Sequence, residues 1–167
     1  METIKNKAYI VTTETGEQKE IFDGRYACIC AMVLAKEGNE VYVLANQRGP
    51  GCPNEVGKWN MPCGYMDGGS AAENCSREVY EETGVKIPPE QFEFVYIDDI
   101  TESNVTLHYR TIFEDGRQEL APLETIKTLG GEPDEVIQAK WINIKDAKNY
   151  DWAFEHEQVI EKYSKNL

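Results

Sequence analysis

The sequence predicts a single domain of mixed α/β character, α+β in type, and three features carry that expectation. Residues 26–35, Tyr-Ala-Cys-Ile-Cys-Ala-Met-Val-Leu-Ala, form an unbroken apolar run of strand type. A Gly38-Asn39 turn returns it into residues 41–47, rich in β-branched and aromatic side chains, so the pair reads as a hairpin of buried strands. After Ser70 the pattern changes to helical periodicity and keeps it as far as Gly84. The chain has 167 residues, 41% hydrophobic and 28% charged, which is enough to bury a core of ordinary domain size. No linker, internal repeat or low-complexity tract divides it.

The elements follow in order. Residues 8–13 and 20–22 read as two short strands joined by a turn at Gly16. The hairpin 26–47 comes next, then a loop from Arg48 to Pro62 punctuated by glycines and prolines. Trp59, in that loop, is expected in the core rather than against a base. Beyond the helix, Ile87-Pro88-Pro89-Glu90 turns the chain into a strand at 92–97, followed by another at 104–113. On the latter, alternation puts His108 and Arg110 on one face, with Val105, Leu107 and Tyr109 on the other. His108 is expected as a partly buried polar residue, and Arg110 as a surface arginine or a contact to a substrate phosphate. Residues 115–131 read as a long loop with a helical turn, closed by the acidic segment Gly130-Gly131-Glu132-Pro133-Asp134-Glu135. A strand at 136–144 and a helix over about 151–165, with Trp152, Phe154, Val159 and Ile160 to pack, complete the chain.

The helix concentrates the chemistry. Ser70 and Glu73 form a capping box, which starts it at Ala71, and Gly84 is a left-handed stop. Ala71, Ala72, Cys75 and Val79 make an apolar stripe. Glu78, Glu81 and Glu82, at i, i+3 and i+4, project from neighbouring positions along the edge of that stripe. Like charges at this spacing repel, and partial burial sharpens the repulsion. Two readings follow: a solvated acidic face, or a site for a hard divalent cation, which oxygen ligands suit.

Composition narrows the partners. A net charge of −13 disfavours nucleic acid and membrane surfaces, and it requires that a phosphorylated ligand be met by cations. No run approaches the length of a membrane span and Met1-Glu2-Thr3 opens no signal peptide, so a cytoplasmic location is expected. The cysteines, Cys28, Cys30, Cys52, Cys63 and Cys75, are odd in number and expected reduced. Neither a CxxC spacing nor a nearby histidine makes a zinc site of Cys52 and Cys63.

The run Arg77-Glu78-Val79-Tyr80-Glu81-Glu82-Thr83-Gly84-Val85 resembles the second half of the Nudix box, Gly-x5-Glu-x7-Arg-Glu-U-x-Glu-Glu-x-Gly-U with U aliphatic. The first half departs. Counting back from Arg77, the first glutamate of the box falls on Gly69 and the leading glycine on Cys63; with Gly64 as leading glycine, the loop is one residue short. In the family that glutamate holds the loop and the arginine, so Glu73, four residues before Arg77, is expected to take over the ion pair, with Asp67 as the other candidate.

Over residues 26–147 the resemblance implies an α/β/α sandwich around a mixed β-sheet and hydrolysis of a diphosphate linkage. The substrate it implies is a small nucleoside diphosphate derivative such as a nucleotide sugar, cleaved with Mg2+ or Mn2+. By residue-by-residue match Glu78, Glu81 and Glu82 are the metal ligands. The base is Glu81, Glu82 or a downstream carboxylate such as Glu135, with Glu132 an alternative. Arg48 is a phosphate contact or a surface arginine at a strand end. Arg77, Gly64 and Gly84 are structural, and the N-terminal strands make a homodimer possible. Ile100-Thr101 and Glu102-Ser103 lack the residues that mark ADP-ribose and dinucleoside polyphosphate hydrolases. Two alternatives stand beside the leading reading: a nucleoside triphosphate pyrophosphohydrolase, and a Nudix fold that senses a nucleotide without cleaving it.

Overall fold

A computed structural model describes residues 7–99, 104–131, 133–165 and 167. The expectations attached to Met1-Glu2-Thr3, Ile100-Thr101, Glu102-Ser103 and Glu132 lie outside the described residues. Strands β1 (Lys7–Thr12) and β2 (Gln18–Asp23) pair antiparallel as a separate two-stranded sheet. The main sheet has seven strands: β3 (Tyr26–Glu37), β4 (Glu40–Arg48), β5 (Trp59–Asn60), β6 (Cys63–Tyr65), β7 (Glu93–Asp98), β8 (Asn104–Phe113) and β9 (Val136–Asn143). Its order is β5-β4-β3-β8-β7, with β6 paired to β3 and β9 to β4. β3 and β8 run parallel while the other pairs are antiparallel, so the sheet is mixed, as expected.

β3 divides the core by strand alternation. Ile29, Ala31 and Val33 face helix α1 (Ala71–Thr83), where Ala71, Cys75 and Val79 meet them together with Val85, Ile87 and Phe92. Cys30, Met32 and Leu34 face the other way, toward Trp59, Met61, Trp152 and Ile160 of helix α3 (His156–Ser164). A helix on each face of one sheet is the expected sandwich. Helix α2 (Leu123–Ile126) is a single turn inside the long loop. Among the described residues no helix is long and apolar enough to cross a membrane.

The C-terminal helix starts later than the expected residue 151. Trp152 forms a parallel bridge with Trp59, the Trp59 N–H donates to Asp151 O (2.8 Å), and the Ala153 N–H donates to Trp59 O (2.8 Å). Those backbone groups are spent on a strand contact. The chain then turns through Phe154 and Glu155, both at φ 56°, before helical geometry begins at His156.

Candidate active site

Local chemistry places α1. Ser70 Oγ accepts the Glu73 N–H (3.2 Å), and the Glu73 carboxylate accepts the Ser70 N–H (2.7 Å), closing the capping box. At the far end Gly84 takes φ 79° and donates to Tyr80 O (2.8 Å). A Cβ at Gly84 would collide with Ala121, so both conformation and space require glycine there.

With its ends fixed and its apolar stripe on the sheet, α1 turns Glu78 and Glu82 inward. Glu78 is 6% exposed and Glu82 only 2%. Burial pushes the Glu78 carboxyl up to about 7; Arg77 opposes the shift, and the charges of Glu81 and Glu135 add to it. Burial, then the charges of Glu78 and Glu135, hold Glu82 well above the usual carboxylate range. Gly64 on β6 makes room for Glu78: a Cβ there would run into the Glu78 carboxylate.

Arg77 is the cation within the cluster. Its guanidinium pairs with Glu78 (2.8 Å), Glu81 (2.9 Å) and Asp67 (3.4 Å), and donates to Tyr65 O (3.1 Å). Asp67, one of the two candidates for its ion pair, is therefore in place. Glu73 is not: its carboxylate is occupied by the Ser70 N–H and hydroxyl, and the cap turns it away from Arg77. The position that joins loop and arginine is Asn74. Its amide nitrogen donates to Gly68 O (2.6 Å) and Ser70 O (2.9 Å), and its Oδ1 accepts from Asp67 N–H (3.3 Å) and Arg77 (3.1 Å). Gly69 itself sits at φ 70°, where a glutamate would be strained, so the loop uses another position for this work.

One more residue that sequence reasoning missed holds Glu82. Asn46 is 1% exposed; with its amide nitrogen turned inward it donates to Glu82 Oε2 (3.2 Å) and to Asn60 O (3.1 Å). Asparagine in a buried strand run, as at Asn46, is the signal that would have pointed to it, because a buried amide needs partners.

The remaining candidates separate. The acidic loop brings Glu135 in: a Cβ at Gly131 would stand 3.5 Å from Glu135 Oε2 and 3.7 Å from Glu81 Cβ. A small cavity lined by Glu81, Glu82, Lys127, Asp134 and Glu135 lies between α1 and that loop. Arg48 is buried, not at the surface; it donates to Asn54 O and Oδ1 (both 3.1 Å) and lies 4.8 Å from the Phe154 ring centroid. A shift in the β4–β9 register between Gln47 and Arg48 marks the spot, and the Arg48 charge lowers the carboxyl of Glu82. Arg110 is not brought to the cluster. It reaches Tyr163 O (3.4 Å) on α3 and Glu93 (3.5 Å), because strand alternation turns it to the face opposite α1.

Glu78, Glu81, Glu82 and Glu135 form an all-oxygen donor set at the edge of a core, two of them buried against their own charge. That chemistry fits a hard divalent cation. Among the described residues no three of these groups yet converge in ligating geometry; Arg77 stands between Glu78 and Glu81.

Comparison with known proteins places the fold. The family model described as NUDIX domain matches residues 25–163. The NUDIX domain of Shewanella oneidensis NrtR complexed with ADP ribose is 22% identical, with a TM-score of 0.69 over 86% of this chain and 88% of that one. A MutT/nudix family protein from Enterococcus faecalis is 20% identical, with a TM-score of 0.65 over 85% of this chain and 61% of that one. A bifunctional NMN adenylyltransferase/ADP ribose pyrophosphatase from Francisella tularensis, complexed with AMP and a Mn ion, is 18% identical. Its TM-score is 0.62 over 84% of this chain and 41% of that one. At these identities the likeness is one of fold.

Proposed function

The chain belongs to the Nudix family, and within it we propose a metal-dependent pyrophosphohydrolase that cleaves the diphosphate linkage of a nucleoside diphosphate derivative. The observation that carries this reading is the pair Glu78 and Glu82, buried from one turn of α1 with Gly64 left open in front of Glu78. Burying two like charges is costly unless something offsets them. A bound divalent cation would supply that offset.

On this reading Glu78, Glu81 and Glu82 would hold Mg2+ or Mn2+, which would supply charge neutralisation at the diphosphate, polarisation of a phosphoryl oxygen and a lowered pKa for water. The chain's own residues position these ligands. Asn46 fixes the Glu82 carboxylate. Arg77, held by Asn74, keeps Glu78 and Glu81 on one side of the helix. Glu135, brought in on a separate loop, is the group best placed to accept a proton from water without leaving the ligand set; Glu81 and Glu82 are the alternatives. No covalent nucleophile is required, since catalysis of this kind is positioning and charge stabilisation.

The test is phosphate release from nucleotide sugars, ADP-ribose, dinucleotides and nucleoside triphosphates with Mg2+ or Mn2+, with Glu82→Gln as control. Cleavage abolished in the control supports the reading, and the preferred compound separates diphosphate derivatives from triphosphates. A panel left intact, with a nucleotide that still raises the melting temperature, would replace it with a nucleotide sensor.

A further inference from the structure

Two large aromatic side chains stand in water on strands whose backbone borders the carboxylate cluster. Tyr26, at the start of β3, is 65% exposed, and Tyr65, at the end of β6, is 57% exposed. They touch edge to face, with ring centroids 5.8 Å apart. The described packing gives them no role in either core cluster. An exposed pair of large rings in mutual contact is the informative exception in a surface, unlike a scattered apolar residue.

The backbone ties the pair to the cluster. Tyr65 follows Gly64, the residue over which Glu78 lies, so one residue of strand, about 3.3 Å, separates the two positions. The Tyr65 carbonyl itself accepts from Arg77 (3.1 Å). In the β3–β6 register Cys28 opposes Tyr65 and Ile29 opposes Gly64. Ile29 belongs to the α1 face, so Tyr65, Cys28 and Tyr26 project from the opposite face. Burial raises the Cys28 thiol, Asn104 lowers it by donating to Sγ (3.6 Å), and the Glu78 charge raises it further. β6 is three residues long and pairs with β3 on one side only among the described residues. A ligand can bend around its free edge, phosphates toward the carboxylates and its organic part on the tyrosine face.

We propose that Tyr26 and Tyr65 form a stacking platform for the nucleobase of the substrate, with Asn104 as a polar neighbour at its border. The proposal rests on the pyrophosphohydrolase reading for its choice of ligand. A planar heteroaromatic base suits such a platform, since every base has a π-face and ring–base stacking is sequence-tolerant. A sugar or a bare phosphate has no such face to offer.

The first arm of the test needs neither metal nor turnover. Tyr65→Trp places an indole on the platform, and its fluorescence, with the wild-type signal subtracted, is titrated with adenosine 5′-monophosphate and separately with ribose 5-phosphate. Quenching by the nucleotide but not by the sugar phosphate is expected. In the second arm, Tyr26→Leu with Tyr65→Leu raises KM for the cleaved nucleotide about tenfold at unchanged kcat, the scale of one lost stacking contact. Tyr65→Phe, which keeps the ring, holds KM within about twofold of wild type, a difference well under 1 kcal/mol. Absence of quenching overturns the platform, as does a signal that responds only to protein concentration, which would mean that a second copy covers the rings. Where the leucine variant fails to fold, the indole titration decides alone. If wild type cleaves no nucleotide yet the indole is quenched, the platform stands and the hydrolase reading falls. If wild type cleaves nucleotides and both arms are flat, the reverse holds.

Discussion

The two faces of the central sheet bury titratable groups of opposite kind. On the α1 face, Glu78 and Glu82 lie against each other's charge and that of Glu135, with Arg77 as counterweight to Glu78. On the α3 face, His156 Nδ1 accepts the Met61 N–H (3.0 Å), its Nε2 lies 3.5 Å from Cys30 Sγ, and His108 stacks on Tyr96 with centroids 4.2 Å apart. Burial pushes His108 down to about 4 and His156 to about 3, so both stay neutral at physiological pH and behave as packing residues. The histidines have shed the charge that burial penalises. Burial pushes the carboxylates toward their neutral form as well, but they also crowd one another and Glu135 beside a cavity, and that contrast separates a site from a core.

The sharpest test of the contrast is Glu82→Gln. Hydrolysis should fall by about a thousandfold, the scale of losing a preorganised electrostatic group. Metal-free protein at pH 8 should nonetheless gain about 1 kcal/mol, because a neutral amide avoids the cost that burial imposes on this carboxyl, whether met as a buried charge or as a proton taken up on folding. Initial rates and thermal melts in chelator measure both, and a lower melting temperature would break the comparison.

His156→Ala should act in the opposite sense. It removes a buried ring and leaves the Met61 N–H without its acceptor, costing about 3 kcal/mol and roughly 6–12 °C in melting temperature. Activity per folded molecule should stay within about threefold of wild type, where a far larger loss would move this residue into the site.

pH should expose the two signs together. For the histidines the folded pKa values, about 4 and about 3, lie below the ordinary 6.5. Their contribution is complete above pH 6.5 and is lost as pH falls through the folded values. For Glu78 the folded value, about 7, lies above the ordinary 4.5, so its contribution is present below pH 4.5 and lost as pH rises through 7. Between pH 5 and 7 the two slopes oppose, and wild-type stability without metal should change by less than about 2 kcal/mol. Glu78→Gln removes one of the opposing carboxylate slopes and leaves that of Glu82, so denaturant midpoints should rise with pH more steeply than in wild type. Parallel curves would mean that the carboxylates do not titrate in this range.

The smallest effect concerns the loop. Asn74→Ala and Arg77→Ala should couple by about 0.5–1 kcal/mol in a double-mutant cycle, whereas Glu73→Ala and Arg77→Ala should add within about 0.5 kcal/mol. Coupling in the second pair would restore Glu73 as the arginine's partner.

These residues mark what was legible beforehand. The ends of α1 were, because a capping box and a left-handed glycine are local chemistry between residues three or four apart. Glu78, Glu81 and Glu82 were visible as a group for the same reason. The strands β3, β4 and β8 announced themselves by long apolar or β-branched runs. β5 did not, since two residues carry no alternation, and its contact with Trp152 joins distant parts of the chain. Asn46 and Asn74 were missed because an amide has no preference until its partners are known. Glu73 was misassigned for a related reason: i, i+4 spacing allowed a pair with Arg77, but the nearer Ser70 claimed the carboxylate first. Arg48 and Arg110 carried the same side-chain chemistry in the sequence, and only the sheet separates them, one beside Glu82 and the other facing α3.

The parallel pairing of β3 with β8 has a consequence for biosynthesis. Residue 26 meets residue 104 and residue 35 meets residue 113, so β3 finds this neighbour only after most of the chain has been made. Until then the β3–β4 hairpin emerges from the ribosome with an open, apolar edge, the kind that recruits other chains. Closing so long a span is also slow compared with local pairing. The interval between translation of β4 and of β8 is thus when the nascent protein is most exposed to aggregation, and when a chaperone that shields strand edges would matter most to its yield.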